Sequence, residues 1–96
     1  MNHIDLKNKT VFITGSAGFI GSNLVLELLR TQSPIHIIGL DNVNDYYDVS
    51  IKEWRLREIE KCVHEHSDST YIFYKDDLAN KAIIDRIFKE HKPDIV

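Results

Sequence analysis

The stretch TGSAGFIGSNL, Thr14 to Leu24, decides how the rest of the chain is read. Its glycines stand at 15, 18 and 21, directly after the apolar run Val11-Phe12-Ile13. A short β-branched and aromatic segment that meets glycine at once reads as a buried strand, here Thr10 to Thr14, entering a tight turn. From Phe19 to about Thr31 the apolar residues Ile20, Leu24 and Leu28, with Val25 and Leu29, recur at four-residue spacing and predict a helix with a broad apolar face. Ser33-Pro34 ends it.

Working outward, Ile35 to Leu40 (IHIIGL) is nearly all apolar, the pattern of a parallel strand covered on both faces. His36 within it reads as a packed or edge-facing side chain, with no partner at metal-ligand spacing. After the loop Asp41 to Asp48, the segment Ser50 to His66 predicts an amphipathic helix. Ile51, Trp54, Leu56, Ile59 and Val63 are its apolar members, and its charges form a solvated face. His64 and His66 belong at the carbonyl end of that helix, where histidine interacts favourably with the dipole. Thr70 to Tyr74 is a third strand and Ala79 to His91 a third helix, with Ile83, Ile84, Ile87 and Phe88 inward. Lys92-Pro93-Asp94 breaks that helix before Ile95-Val96. The order β-α-β-α-β-α-β, with a fourth strand of two apolar residues, predicts an α/β fold. This is a partial Rossmann arrangement, a doubly wound parallel sheet joined by right-handed crossovers.

Composition narrows the function. The 96 residues allow one domain at most, and chains of this size bury about 60 to 70% of the surface they expose when unfolded. A net charge of −3 with scattered basic residues gives no footprint for nucleic acid. No run approaches the ~18 apolar residues of a membrane span, and MNHIDLKNKT lacks the core of a signal peptide. A cytoplasmic setting and a buried thiol at the single cysteine, Cys62, are the expectations.

In a dinucleotide-binding turn the first glycine permits the sharp exit from the strand. The second lets backbone approach the pyrophosphate, and the third lets helix and sheet pack closely. Gly15, Gly18 and Gly21 can fill these roles, with the amides around Phe19 and Ile20 at the start of the helix offered to the anion. Asp41, twenty residues beyond Gly21 at the end of the second strand, is placed to accept from ribose hydroxyls and to repel a 2′-phosphate, which favours NAD over NADP. An ordinary turn aspartate is the alternative reading. A P-loop is excluded because no Lys-Ser or Lys-Thr pair follows the glycines.

The spacing G-x-x-G-x-x-G and the run AGFIGSNL resemble the extended short-chain dehydrogenase/reductase family, particularly its nucleotide-sugar epimerases and dehydratases. The segment GLDNVNDYYDVSIKEWRL, Gly39 to Leu56, is most similar to UDP-glucuronate 4-epimerases. The resemblance implies that Asp41, Asn42 and Asn44 surround the adenosine ribose and that Asp77 and Leu78 meet the adenine. The alternatives are turn-stabilising roles for Asn42 and Asn44 and a part in capping the third helix for Asp77. Lys75-Asp76-Asp77-Leu78 departs from the family's glycine-aspartate-leucine by placing Asp76 at the glycine.

By the same resemblance the chemistry passes a hydride from a UDP-sugar to NAD and back, with a tyrosine and a lysine four residues later as the catalytic pair. Tyr71 and Lys75 have that spacing, but the pair works from one helix face. On a strand the two stand about 13 Å apart at ~3.3 Å per residue. No catalytic residue is therefore expected in this chain. The expectation is the N-terminal NAD-binding portion of an epimerase, residues 1–96, with the catalytic and sugar-binding portion absent, inactive alone, and meeting UDP-sugar only within a full-length parent. The alternative is a truncated Rossmann module with a vestigial NAD site that self-associates as a homo-oligomer through the sheet edge at Ile95-Val96.

Overall fold

The computed structural model describes residues 6–42 and 49–96. Three strands alternate with three helices: β1 (Thr10–Thr14), α1 (Phe19–Thr31), β2 (His36–Asp41), α2 (Val49–Glu65), β3 (Thr70–Lys75) and α3 (Lys81–His91). The strands form one parallel sheet in the order β1-β2-β3, with Val11 opposite Ile37 and Ile37 opposite Tyr71. On the far side of β1, Ile95 forms a parallel bridge with Val11, and the Phe12 amide donates to the Ile95 carbonyl at 2.8 Å. Of the expected fourth strand, Ile95 thus docks beside β1 as a single bridge. This is the strand order and alternation of a partial, doubly wound Rossmann sheet.

Alternation of side chains along the strands sorts the core into two layers. Val11, Ile13 and Ile37 meet Val25, Leu28 and Leu29 of α1 and Ile59 and Cys62 of α2 on one face. Phe12, Ile38 and Leu40 meet Ile87 of α3 on the other. Phe12 also takes the edge of the Phe88 ring, 5.8 Å between centroids, while the far side of Phe88 stays open. Each fully buried aliphatic side chain contributes about 1.5–3 kcal/mol of transfer free energy, so both layers matter to a sheet this small.

Several helix faces are narrower than their apolar patterns predict. On α1 the buried stripe runs Ser22, Val25, Leu28 and Leu29, whereas Ile20 and Leu24 are exposed. On α2, Ile59 and Cys62 reach the core, while Ile51 and Trp54 stand out from it. The cause is coverage: Ile59 and Cys62, in the second half of α2, pack into the layer over β1 and β2, whereas Ile51 and Trp54 border an open groove between α1 and α2. Helix α3 begins at Lys81, two residues later than Ala79, because Asn80 is its cap and accepts from the Ala82 and Ile83 amides. Cys62 is buried as expected, and burial pushes its thiol above the ordinary value. His66 lies just past α2, with Nδ1 2.9 Å from the Cys62 carbonyl. His36 sits on the central strand, not an edge, with Nδ1 2.8 Å from Thr70 Oγ1. Among the described residues no helix is long and apolar enough to cross a membrane, and no cluster of side chains could hold a metal.

Gly39, at the middle of the sheet, has a packing role outside the glycine motif. A Cβ there would collide with Tyr71 Oη and Ser16 Oγ. The space left by the missing side chain is where the Tyr71 hydroxyl donates to the fully buried Ser16 Oγ at 2.9 Å. Gly39→Ala is therefore expected to destabilise the fold by about 1–3 kcal/mol through overpacking. Adding Tyr71→Phe, which removes the nearest obstructing atom, should restore part of that loss in a urea-denaturation double-mutant cycle; strict additivity would contradict the packing.

Burial, opposed by the Ser16 hydrogen bond and reinforced by the Asp41 charge, pushes the Tyr71 phenol up from 10 to about 12. Between those values the folded chain keeps a proton that the unfolded chain releases, so stability falls as pH rises through that window. Urea midpoints measured from pH 9 to 12 should show this decline in the native sequence and a shallower one in Tyr71→Phe.

Candidate functional site

The glycine turn between β1 and α1 is fastened on every side. Gly15 has φ +67°, a left-handed conformation that glycine adopts without steric cost, and its amide donates to the Leu40 carbonyl at 2.7 Å. The Gly18 amide closes the turn onto the Gly15 carbonyl at 3.0 Å, and Gly18 is the N-cap of α1. At Gly21 a Cβ would run into the Gly15 carbonyl, so this third glycine is what lets the helix lie against the turn. The first amide bonded back into α1 is that of Ser22, to the Gly18 carbonyl at 2.9 Å, and no side chain caps the helix. The amides of Phe19, Ile20 and Gly21 thus precede the first intrahelical bond at the positive end of the helix dipole. The Phe19 and Ile20 side chains point outward and are largely exposed.

Asp41 is the last residue of β2 and is buried. Its Oδ2 accepts from the Ala17 amide at 3.0 Å, and its Oδ1 pairs with Lys52 Nζ at 2.9 Å. The carboxylate is thus bonded to the glycine turn on one side and charge-compensated from α2 on the other. A charge this deep requires such partners. Arg55, three residues after Lys52, donates to the Ala17 carbonyl at 3.3 Å and lies over the Phe19 ring, 5.8 Å from its centroid.

A cleft of about 340 Å³ opens at the carboxyl ends of the strands. Its walls are Thr14 and Gly15 of the turn, Leu40, Asp41 and Asn42 at the end of β2, Lys52, and Asp76, Asp77 and Leu78 after β3. Of the residues singled out in the sequence, Gly15, Asp41, Asn42, Asp77 and Leu78 therefore share one cavity. Gly18 and Gly21 shape the turn behind it, and Phe19 and Ile20 contribute backbone at the helix start. Asn44 lies outside the described residues.

Asp77 does not cap α3, which Asn80 does; its Oδ1 accepts instead from the Ala79 amide at 2.9 Å in the turn before the cap. Asp76, the departure from the family's glycine, is built into the same turn. Its carboxylate accepts from the Asp77 amide at 2.7 Å and from Asn80 Nδ2 at 3.1 Å, and its own amide donates to the Asp41 carbonyl at 3.2 Å. Tyr71 and Lys75 both lie on β3, and the Tyr71 hydroxyl is committed to Ser16 beneath the turn.

Lys52, Arg55 and Asn80 were not singled out by the sequence reading. The first two look like ordinary charges on an amphipathic helix. The available signal was positional: in a β-α connection the first turns of the helix sit at the carboxyl end of the sheet, so basic residues there face whatever the strand ends carry.

The fold is shared with solved dehydrogenases. A short chain dehydrogenase from Mycobacterium paratuberculosis bound to NAD superposes with a TM-score of 0.67 at 16% identity, covering 91% of this chain and 32% of that one. Carveol dehydrogenase from Mycobacterium avium in complex with NAD gives 0.66 at 22%, covering 88% and 32%. In sequence the chain is 38% identical to Protein CapI of Staphylococcus aureus, over 90% of its own length and 23% of the relative's. It is 37% identical to UDP-glucuronate 4-epimerase of Thermodesulfobacterium geofontis over 82% and 22%, and 36% identical to UDP-glucose 4-epimerase of Drosophila melanogaster over 91% and 23%. The chain thus spans less than a quarter of the length of these three relatives. With its residues 12–96 matching the GDP-mannose 4,6 dehydratase family, a strand, glycine turn and helix in place, and relatives that include two nucleotide-sugar epimerases, the chain belongs to that family as an N-terminal portion.

Proposed function

We propose that this chain is the NAD-holding N-terminal portion of a nucleotide-sugar 4-epimerase of the UDP-glucuronate type. The observation that carries the reading is the single cleft into which the first glycine, the β2 carboxylate and the Asp77-Leu78 pair converge. Such a crevice outside the carboxyl ends of the strands is where doubly wound sheets hold dinucleotides.

The residues fit the adenosine half of NAD. The turn from Gly15 to Gly21 brings backbone, not side chain, to the mouth of the site, and the uncapped start of α1 offers amides to a pyrophosphate. Asp41 and Asn42, with Asn44, take the ribose. A carboxylate oxygen accepts more than one hydrogen bond, so the ribose hydroxyls share Asp41 with Ala17 and Lys52. Asp77 and Leu78 line the wall assigned to adenine. NAD, when bound, supplies the acceptor and donor of hydride; the catalytic and sugar-contacting groups belong to the rest of a longer protein. In this role the protein works in the reducing cytoplasm, and Cys62 remains a buried thiol.

Calorimetric titration with NAD tests the binding. We expect saturable binding, weakened at least about tenfold in Asp41→Ala, which removes charge-assisted hydrogen bonds. Gly18→Val should weaken it similarly, since a Cβ there already approaches the Gly15 carbonyl at 3.2 Å. Unchanged affinity in both variants would overturn the site.

The 96-residue chain should not interconvert UDP-glucuronate and UDP-galacturonate with NAD present. Turnover above background in a coupled assay would show that the catalytic group lies within it.

A further inference from the structure

The cleft carries a cation that the reading so far does not use. Lys52 reaches back from the first turns of α2 to Asp41 Oδ1 at 2.9 Å, with its side chain only 13% exposed. It lines the same cavity as Gly15, Asp41, Asn42 and Asp77. A carboxylate at the end of the second strand discriminates against NADP because its charge meets the 2′-phosphate, and basic side chains nearby accommodate that phosphate. Here both kinds of group stand in direct contact.

We propose that Lys52 is a specificity-determining residue of the adenosine site. It sets the charge presented at the ribose 2′ position and is the group that would receive a 2′-phosphate. This rests on the dinucleotide reading of the cleft. Lys52 offsets the Asp41 carboxylate it contacts, and Asp76 and Asp77 stand on the opposite wall of the cavity. The native balance therefore favours an unphosphorylated ribose, but less strongly than an uncompensated carboxylate would. Without the Asp41 charge, the Lys52 ammonium loses the carboxylate it contacts and remains the cation among the residues lining the cavity. Lys75, the register partner of Asp41, and Arg55, at the Ala17 carbonyl, are further cations near the strand end and are unchanged in every variant below.

The test is the ratio of NADP to NAD dissociation constants, measured by calorimetry on the native chain, Lys52→Met, Asp41→Asn and the double variant. Asparagine keeps an acceptor for the Ala17 amide, and methionine keeps the length of the lysine stem. We expect the native chain to prefer NAD and Lys52→Met to widen that preference about tenfold, the size of one charge-assisted contact. Asp41→Asn should shift the ratio toward NADP by a similar factor, and the double variant should lose that shift. Asp41→Asn with Lys52→Arg should keep it. Two outcomes overturn the proposal: an equal shift toward NADP with and without the lysine, or Lys52→Met weakening both ligands by the same factor. If Asp41→Asn does not fold by circular dichroism, the Lys52→Met ratio alone decides. A native chain that binds NAD while these ratios fail removes only the role of Lys52; one that binds neither dinucleotide removes the site and this proposal together.

Discussion

The hydrogen bond from the Ala17 amide to Asp41 Oδ2 is the interaction on which the rest of the site depends. It joins the turn after β1 to the end of β2, so the position of the glycine backbone and that of the carboxylate are one variable. The carboxylate is tolerable at this depth because Lys52 compensates it, and Lys52 can do so because α2 begins where the sheet ends. The same helix reaches the turn a second time through Arg55 and the Ala17 carbonyl. A backbone segment with exposed amides at its helical end would otherwise have few reasons to hold one conformation.

Beneath the turn a second constraint acts from the sheet. Gly39 leaves room, Tyr71 fills it with its hydroxyl, and Ser16 accepts the proton side of that hydroxyl. Three strands are thereby tied to one loop: β1 by chain continuity, β2 by Asp41 and by the Leu40 carbonyl, β3 by Tyr71. The residue that formally completes a Tyr-x-x-x-Lys spacing is thus part of the support for the glycine turn.

Much of this architecture was legible in the residues. The glycines at 15, 18 and 21 mark a strand-turn-helix junction, and the apolar runs at Val11 and Ile37 mark strands covered on both faces. Asp41 stands at the end of β2, where its spacing to Gly21 put it, bonded to the Ala17 amide of the turn. What was hidden depended on coverage and on partners. Leu24, Ile51 and Trp54 fit an apolar helical stripe as well as Leu29 and Ile59 do, but whether a stripe residue is buried depends on whether sheet lies beneath it. Lys52 and Arg55 have the composition of solvated helix charges, and nothing local distinguishes a lysine that faces water from one that faces a buried carboxylate. Asn80 was not weighed as the cap of α3, and capping by Asp77 was only an alternative to an adenine contact; Asp and Asn both cap well, and only the course of the turn selects between them.

In the proposed dinucleotide role, the arrangement favours binding by preorganisation. Holding a loop in its bound geometry before the ligand arrives removes an ordering cost of about 0.5–1.5 kcal/mol per side chain that would otherwise be immobilised. Here the groups nearest the cleft are backbone and short polar side chains already fixed by one another: the turn by Leu40, Asp41 and Tyr71, and the far wall by Asp76 and Asn80. Asp76 is part of this bracing. Its carboxylate braces the Asp77 amide and the Asn80 side chain, so the turn before α3 is held by a side chain. The turn's course from β3 into α3 is held jointly by the hydrogen bonds of Asp76, Asp77 and Asn80, and with it the placement of Asp77 in the wall of the cleft that Asp41 also lines.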